Sequence, residues 1–453
     1  MITFGTAGIR GPVKAITPEL VASIGRAAAA EGTEFVVARD GRETGDALVE
    51  AVSAGLASGG ADVVRLGTIP TPALAFASRG RHGIMITASH NPPADNGVKL
   101  FADGREFDLD TEARIEDRLA DGTVPVAWDT WGRLGATSTL RAYEHALSAY
   151  LDTIQTSSDT SVSIVVDAGT GTAGLVAPTV LRRLGASVRT LNGSADGAFP
   201  ARPSKPTTET IGTLRRFVAN GPADIGFAFD GDADRLVLVD ERGDVVHEDT
   251  VLAILAESYV RRAETPDPVV VTTPNASNRI DERVEAVGGR IVRTPLGQLQ
   301  DGIARIYREA EEETDVVFAA EPWKHIHPSF GSWIDGILSA GVLTVLIEQT
   351  GLRELRDPID ELPYRKRSIE CPDPVKARAM EDIETSLPDA FPEGKIDTAA
   401  GMRISFGSRE WVLVRPSGTE PKIRIYVESS RADALADEVE TYVRAAIDRH
   451  SID

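Results

Sequence analysis

The chain reads as an α/β protein. The expectation is three similar α/β domains with mixed sheets, then a C-terminal α+β domain, around one central cleft. Three observations predict this. At 453 residues the chain is too long for one compact core. Short apolar runs alternate with helical stretches in three successive rounds. Each round ends a strand in a loop rich in chemically capable side chains, and ligands collect beyond the carboxyl ends of strands in open α/β sheets.

The first round opens with a loop, Phe4 to Gly11. Thr17 then caps a helix that has Pro18 at its first position and ends near Gly32. A strand over 34–38, a helix over 46–58, a strand over 61–66, a helix after Pro72 and a strand over 84–87 follow. That last strand runs into Ser89-His90-Asn91-Pro92. The second round has strands over 164–167, 186–191 and 225–229, with helices over 173–184 and 211–218, and ends in Asp230-Gly231-Asp232-Ala233-Asp234-Arg235. The third has strands over 269–272, 290–293 and 316–319, with helices over 279–287 and 299–310, and ends in Glu321-Pro322-Trp323-Lys324-His325. After Ser368 the order changes to helix (376–386), three strands (402–406, 411–414, 423–428) and helix (432–448), an α+β pattern. The expected domains are therefore 1–152, 153–258, 259–368 and 369–453.

Apolar residues make up 42% and charged residues 26%, a globular composition. No run is apolar enough to span a membrane, and no apolar segment follows a basic start, so neither a membrane partner nor a signal peptide is expected. The single cysteine, Cys371, has no internal disulfide partner. Together these favour a cytoplasmic protein. The net charge of −21 argues against nucleic acid as the main partner. Only 8 of the 48 Lys and Arg residues are Lys. Abundant Asp and Glu with few Lys resembles the surface of a halophilic protein, ordinary acidic solubility being the plainer reading.

Five motifs carry chemistry. In Asp230–Asp234 three carboxylates alternate with small residues directly after a strand, a spacing that turns oxygens toward one point and suits a divalent cation such as Mg²⁺. A calcium-loop reading fails because Arg235 stands where glycine is required. Ser89, at a strand end before a proline-terminated turn, is a candidate for covalent phosphoryl transfer, or else a turn residue. His90 is its titratable neighbour, though adjacent side chains usually diverge. Lys99, in Asn96-Gly97-Val98-Lys99, is a candidate proton donor and acceptor if nearby cations lower its pKa, or else a surface lysine. Arg415-Pro416-Ser417-Gly418-Thr419-Glu420-Pro421-Lys422-Ile423-Arg424 combines hydroxyls, a glycine-freed backbone and cations, which suits a phosphate. Gly169-Thr170-Gly171-Thr172-Ala173-Gly174 follows a strand and opens a helix, as a dinucleotide fingerprint does, but the next strand lacks the acidic residue that would hold a ribose.

Four stretches, in this order, resemble the signature segments of the α-D-phosphohexomutases: Phe4–Gly11, Thr87–Pro92, Asp230–Arg235 and Arg415–Arg424. The resemblance covers essentially the whole chain and implies an enzyme that interconverts hexose 6-phosphates and hexose 1-phosphates. Glucose and mannose phosphates are favoured, with glucosamine phosphate as the alternative. It implies that Ser89 carries the phosphoryl group, and that Asp230, Asp232 and Asp234, with that group, hold Mg²⁺. Arg10 and Lys99 would sit beside it, His90 would join the catalytic set, and Arg235 would support the metal loop. Arg415, Ser417, Gly418, Thr419 and Arg424 would grip the non-reacting phosphate, and a hexose 1,6-bisphosphate would be activator and intermediate. Sugar phosphates are the expected partners, with the chain a monomer or homodimer. The third loop departs from the family pattern of Gly-Glu-x-Ser-Gly-His: it keeps Glu321 and His325 but carries Trp323 and Lys324 in place of the serine and glycine. Glu321, Lys324 and His325 are its candidates for reading the sugar. A nicotinamide-dependent oxidoreductase and a non-catalytic sugar-phosphate binder are the rival readings.

Overall fold

The computed structural model describes residues 4–5, 8–155, 161–310, 313–398, 400–418 and 420–451. The chain divides into two compact units, Met1–Val251 with Trp323–Leu355, and Leu252–Pro322 with Arg356–Asp453.

The first unit begins with β1 (Ile9–Pro12), α1 (Pro18–Ala28), β2 (Glu34–Arg39), α2 (Gly45–Ser58), β3 (Asp62–Thr68), α3 (Thr71–Ala77), β4 (His82–Ile86), β5 (Asp95–Ala102), β6 (Arg105–Glu106), α4 (Leu109–Asp121) and β7 (Leu134–Ala136). Local chemistry sets the helix starts. Thr17 accepts the Leu20 N–H, and Asp108 accepts the Thr111 N–H at 2.8 Å. The sheet order is β1-β5-β4-β2-β3-β7, with β6 beside β5. Strands β4, β2, β3 and β7 run parallel, while β5 pairs antiparallel with both β4 and β1, so the sheet is mixed as expected. Apolar residues of the strands and of α1 and α2, among them Val21, Ile24, Phe35, Val52, Leu56 and Ile84, form one core.

Helix α5 (Leu140–Asp152) leads to a second mixed sheet of β8 (Ser163–Asp167), β9 (Ser187–Leu191), β10 (Ile225–Phe229) and β11 (Leu236–Val239), in the order β11-β10-β8-β9. Only β11 runs antiparallel to its neighbour. The helix expected over 173–184 is instead a 3₁₀ turn (Thr172–Leu175) followed by α6 (Ala177–Arg183). A Cβ at Gly174 would lie 2.1 Å from Gly193 O, so only glycine fits in this turn. Helix α7 (Gly212–Ala219) packs on β8 and β10.

Helix α8 (Glu248–Arg262) runs unbroken through residue 258, where a domain boundary was expected. In the second unit β12 (Asp267–Thr272), α9 (Arg279–Glu285), β13 (Arg290–Arg293), α10 (Leu299–Glu309) and β14 (Thr314–Glu321) follow, with β12 parallel to both β13 and β14. The first unit then regains the chain for the hairpin β15 (Lys324–His327) and β16 (Gly331–Ile334) and for the largely buried α11 (Gly336–Thr350). After the short α12 (Leu352–Arg356), the second unit closes with β17 (Tyr364–Glu370), α13 (Asp373–Ala390), β18 (Lys395–Asp397), β19 (Met402–Phe406), β20 (Glu410–Pro416), β21 (Lys422–Glu428) and α14 (Ala432–His450). Its antiparallel sheet, ordered β17-β21-β20-β19-β18, is covered by α13 and α14 through Ile383, Leu387, Leu435, Val439 and Val443.

Candidate active site

The serine turn follows β4, and Ser89 is fully buried in the left-handed region at φ 49°. A non-glycine residue holds that conformation only when its surroundings fix it, at a cost of about 1–3 kcal/mol. Here they do. Ser89 N donates to Thr87 Oγ1 at 2.8 Å, and Thr87 Oγ1 donates to Asp40 Oδ2 at 2.7 Å. The buried Arg42 guanidinium fans its donors over the turn, to the carbonyls of Ser89 (2.9 Å), Asn91 (2.8 Å), Pro92 (2.5 Å) and Asp95 (2.7 Å). Its Nε donates to Asp40 at 3.1 Å. Burial raises the Asp40 carboxyl to about 6, although Arg42 and Thr87 pull the other way.

The acidic loop joins β10 to β11. Asp230, Asp232 and Asp234 are all buried, and one oxygen from each lies within 4.8 Å of the others. Ala233 takes φ 62°, which folds the loop tightly enough to bring the carboxylates together. Ser89 Oγ donates to Asp230 Oδ2 at 2.7 Å, so the serine points into the cluster. Thr71 donates to Asp232 Oδ2 at 2.7 Å, and Lys99 Nζ reaches Asp232 at 3.2 Å and Asp234 at 2.7 Å. Arg235 Nε stands 3.8 Å from Asp230 Oδ2 and 3.7 Å from Asp234 Oδ1. Ser204 ties the two loops together: its hydroxyl donates to Ser89 O at 2.8 Å and accepts from Gly231 N at 3.0 Å. Only glycine fits at 231, because a Cβ there would lie 2.8 Å from Ser204 Oγ and 2.9 Å from Ser89 O.

Three buried carboxylates repel one another. Burial first, then Asp234 and Asp232, raise the Asp230 pKa well above the usual carboxylate range. Asp234 is the opposite case, since Lys99, Arg235 and Lys324 outweigh its burial and lower its pKa. The outer oxygens Asp232 Oδ1 and Asp234 Oδ1 are buried without a hydrogen-bond partner. Buried acceptors are rarely left so. A hard divalent cation takes such oxygens, so the residues present fit one.

Lys99 departs from expectation. It lies inside β5 and is buried. Burial alone would lower its pKa, but Asp232 and Asp234 overcome that and hold the ammonium well above its ordinary value. The expected lowering by neighbouring cations does not occur, because carboxylates are the nearer neighbours. Arg10 pairs with Gly97 across β1 and β5, which sets it on the same sheet face as Lys99, and its Nε is buried without a partner. His90 Nδ1 lies 3.4 Å from Ser89 Oγ, nearer than adjacent side chains usually allow. Burial, then the Arg235 and Arg10 cations, push His90 far below its ordinary value, so it is a neutral imidazole and a weak base.

The third loop is divided. In the second unit Glu321 ends β14 and accepts the Gly297 N–H at 2.5 Å. In the first unit Trp323, at φ 75°, packs on the core around Val165 and Leu214. Lys324 forms a backbone bridge with Arg235 and lends its charge to Asp234. His325 is the second residue of β15. It is buried, its Nδ1 is 2.9 Å from Ser339 Oγ, and burial lowers it to about 3. Ser339 donates to Asp335 O at 2.7 Å and also meets His327 Nε2 at 2.9 Å. The imidazole is therefore part of the packing of β15 on α11.

In the second unit Arg415 and Arg424 face each other across β20 and β21. Arg415 Nε and Arg424 Nε are buried without acceptors. Lys376 of α13 shapes the intervening loop by donating to Ser417 O at 2.9 Å and Glu420 O at 2.6 Å. Glu420 pairs with Arg424 and with Lys422. Ser417 is buried, and Gly418 has open space where a side chain would be. Thr419 lies outside the described residues.

The glycine segment proves to be scaffolding. A Cβ at Gly171 would lie 2.7 Å from Gly231 O, and Thr172 N donates to Gly231 O at 3.0 Å. Backbone of the acidic loop packs directly against this segment. Sequence reading missed Asp40, Arg42, Thr71 and Ser204. A signal for the first two existed: Arg39-Asp40-Gly41-Arg42 leaves the carboxyl end of β2, beside β4, as the rule for ligand-facing loops requires.

Models of the phosphoglucomutase/phosphomannomutase family match in four successive parts: α/β/α domain I over residues 1–124, domain II over 141–243, domain III over 247–365 and the C-terminal domain over 369–446. The chain is 41% identical to a protein of Thermococcus kodakarensis named "Phosphopentomutase", over 95% of this chain and 94% of that one. It is 40% identical to a Methanopyrus kandleri protein named "Probable phosphoglucosamine mutase", over 98% of each chain. Among solved structures, a phosphoglucomutase/phosphomannomutase family protein from Burkholderia thailandensis superimposes with a TM-score of 0.83 at 25% identity, covering 100% of this chain and 98% of that one. With four domain models in order and relatives aligned along nearly its whole length, the chain belongs to the phosphoglucomutase/phosphomannomutase family, the phosphohexomutase isomerases.

Proposed function

We propose that the chain is a sugar-phosphate mutase in which Ser89 carries the phosphoryl group between two hydroxyls of one sugar. The observation that supports this best is Ser89 Oγ, 2.7 Å from Asp230, in a cluster of three buried carboxylates with Lys99 against two of them. A hydroxyl oxygen of the sugar monophosphate attacks the phosphorus of phosphoserine 89. The new P–O bond forms as the P–Oγ bond breaks, the hydroxyl proton passes to solvent, and Ser89 Oγ takes up one proton, so the step is proton-neutral. The sugar, now a bisphosphate, presents its other phosphate to Ser89, which takes that group back. Asp230, Asp232 and Asp234, with the oxygens of the carried phosphate, would hold Mg²⁺. When bound, that ion supplies positive charge against the transferring phosphoryl oxygens. Lys99, protonated between its carboxylates, enters as the proton donor to Oγ, with Arg10 as a second cation. Arg415, Ser417, Gly418 and Arg424 bind the phosphate that is not being transferred.

For the sugar, the printed names of relatives at 41% and 40% identity are those of pentose and glucosamine mutases. The third loop also departs from the family pattern at Trp323 and Lys324. The proposal therefore sets pentose and glucosamine phosphates ahead of the glucose and mannose phosphates expected first.

The test is intact-protein mass spectrometry before and after loading with a sugar bisphosphate and Mg²⁺, on the wild type and on Ser89→Ala. One phosphate on the wild type and none on the variant is expected. Failure of the wild type to take up phosphate from pentose, glucosamine, glucose or mannose bisphosphates would refute the carrier role. Turnover of each 1-phosphate then ranks the sugars.

A further inference from the structure

We infer that Ser204 is a positioning residue for phosphoryl transfer: with Phe199 and Arg202 beside it, it holds the main chain of Ser89 at a fixed height over the acidic loop. This role rests on the carrier role proposed for Ser89. The two loops start from different sheets, the serine turn from β4 and the acidic loop from β10. No strand pairing sets one sheet end against the other. Their side-chain link, Ser89 Oγ to Asp230 Oδ2 at 2.7 Å, needs the hydroxyl proton. In phosphoserine that oxygen is an ester oxygen without a proton, so this bond is absent whenever Ser89 carries its group.

The Ser204 link does not depend on that state. Its hydroxyl donates to Ser89 O at 2.8 Å and accepts from Gly231 N at 3.0 Å, and both partners are main-chain groups that phosphorylation leaves unchanged. A serine hydroxyl has one proton, and here it serves one loop while a lone pair serves the other. Ser204 is 3% exposed, so water competes little for either bond.

Ser204 is itself held from the strand ends behind the acidic loop. The buried Arg202 donates from Nε to Asp167 Oδ2 at 2.8 Å, at the end of β8, and from Nη2 to Phe229 O at 2.7 Å, at the end of β10. Its Nη1 reaches Pro203 O at 3.1 Å and Ser204 O at 3.4 Å. Asn192 Nδ2 donates to Asp167 Oδ1 at 2.9 Å. On the side of the serine turn, the Arg42 guanidinium that braces Ser89 lies 5.2 Å from the centre of the Phe199 ring. Phe199 is buried and holds φ 49°, a costly conformation for a bulky residue. Such strain persists only where the surroundings fix it, and it collects at functional sites. A Cβ at Gly197 would lie 2.4 Å from Gly41 O, so this segment meets the loop after β2 backbone to backbone. Residues 192–204 thus run from the Arg42 brace to the acidic loop, and Ser204 is where they bond to both catalytic loops.

Transfer depends on where the phosphorus stands against the carboxylates, and a misplacement of about 1 Å costs on the order of 100-fold in rate. The experiment measures kcat and KM of the phosphate-loaded full chain in Mg²⁺, as wild type, Ser204→Ala and Ser204→Thr, with pentose, glucosamine, glucose and mannose 1-phosphates. Urea unfolding of each protein accompanies it. Ser204→Ala should lower kcat on the order of 100-fold while KM stays within about threefold, because the groups that grip the substrate are untouched. Ser204→Thr returns the hydroxyl and should recover most of the loss. A merely structural serine would lower stability without that split. A kcat of Ser204→Ala within about threefold of the wild type overturns the inference and leaves the carrier role of Ser89 standing. So does a loss carried wholly in KM, or a natively folded Ser204→Thr that recovers nothing. A wild type that turns over none of these sugars removes the carrier role and the inference with it. If Ser204→Ala does not stay folded in the assay, Phe199→Leu replaces it. That variant keeps the hydroxyl but takes the ring from Arg42, and kcat should fall about tenfold with KM unchanged. An unchanged kcat there overturns the inference.

Discussion

The serine–aspartate cluster of the first unit and the Arg415–Arg424 loop of the second both gather charge, but they hold it differently. In the first, three carboxylates and a lysine are buried. Charges out of water are costly unless paired and hydrogen-bonded. The surroundings show the consequence. Arg42, Asp40, Thr87, Thr71 and Ser204, all buried, brace backbone and carboxylates from behind. In the second, the cations sit at the end of a hairpin, partly in water, and one side chain of the same loop, Glu420, faces Arg424 and Lys422. Where charge is buried, position is fixed by a network drawn from distant parts of the chain. Where charge meets solvent, a local pair suffices.

Three substitutions break or sharpen this comparison. The largest effect is expected at Arg42. Arg42→Ala leaves four turn carbonyls and the Asp40 carboxylate without their donor, and losing one partner of a buried ionic network costs about 3–5 kcal/mol. Urea unfolding of wild type and variant measures it. A cost under about 1 kcal/mol would show that water replaces the guanidinium and that the turn is not braced by it. Arg424→Gln is intermediate. Losing a charged donor to a phosphate costs about 1.5–3 kcal/mol, so KM for the sugar phosphate should rise by roughly 10- to 150-fold with kcat changed far less. An equal fall in kcat with KM unchanged would place the residue at the transferring group instead. Glu420→Gln is the smallest, and its sign is opposite. It removes an exposed competitor for Arg424, so inorganic phosphate should bind more tightly, by less than about tenfold, since exposed pairs are worth about 0.2–1 kcal/mol. Weaker phosphate binding, read by calorimetry, would mean that Glu420 orders the loop rather than competing for its cations.

Much of this was legible in the sequence. The three rounds of strand and helix, the serine turn, the acidic loop and the Arg415–Arg424 hairpin lie where their residues indicated, because each is a local pattern closed by a turn of its own. Asp230, Asp232 and Asp234 converge because small residues separate them within one loop. The sequence reading of Lys99 as a lysine near cations failed because its charge depends on carboxylates more than 130 positions away. His325 was singled out by its place in a motif, whereas its burial and its contact with Ser339 come from packing that no local pattern shows.

The sequence by itself determined the fold class, the family and the chemical type of each loop, since periodicity and short motifs are properties of neighbours along the chain. Tertiary structure alone decided which groups are charged and how they are held: the raised Lys99 and Asp230, the neutral His90, the Arg42 brace and the Ser204 link. Each depends on burial and on partners brought together by folding, and neither quantity is written in the order of the residues.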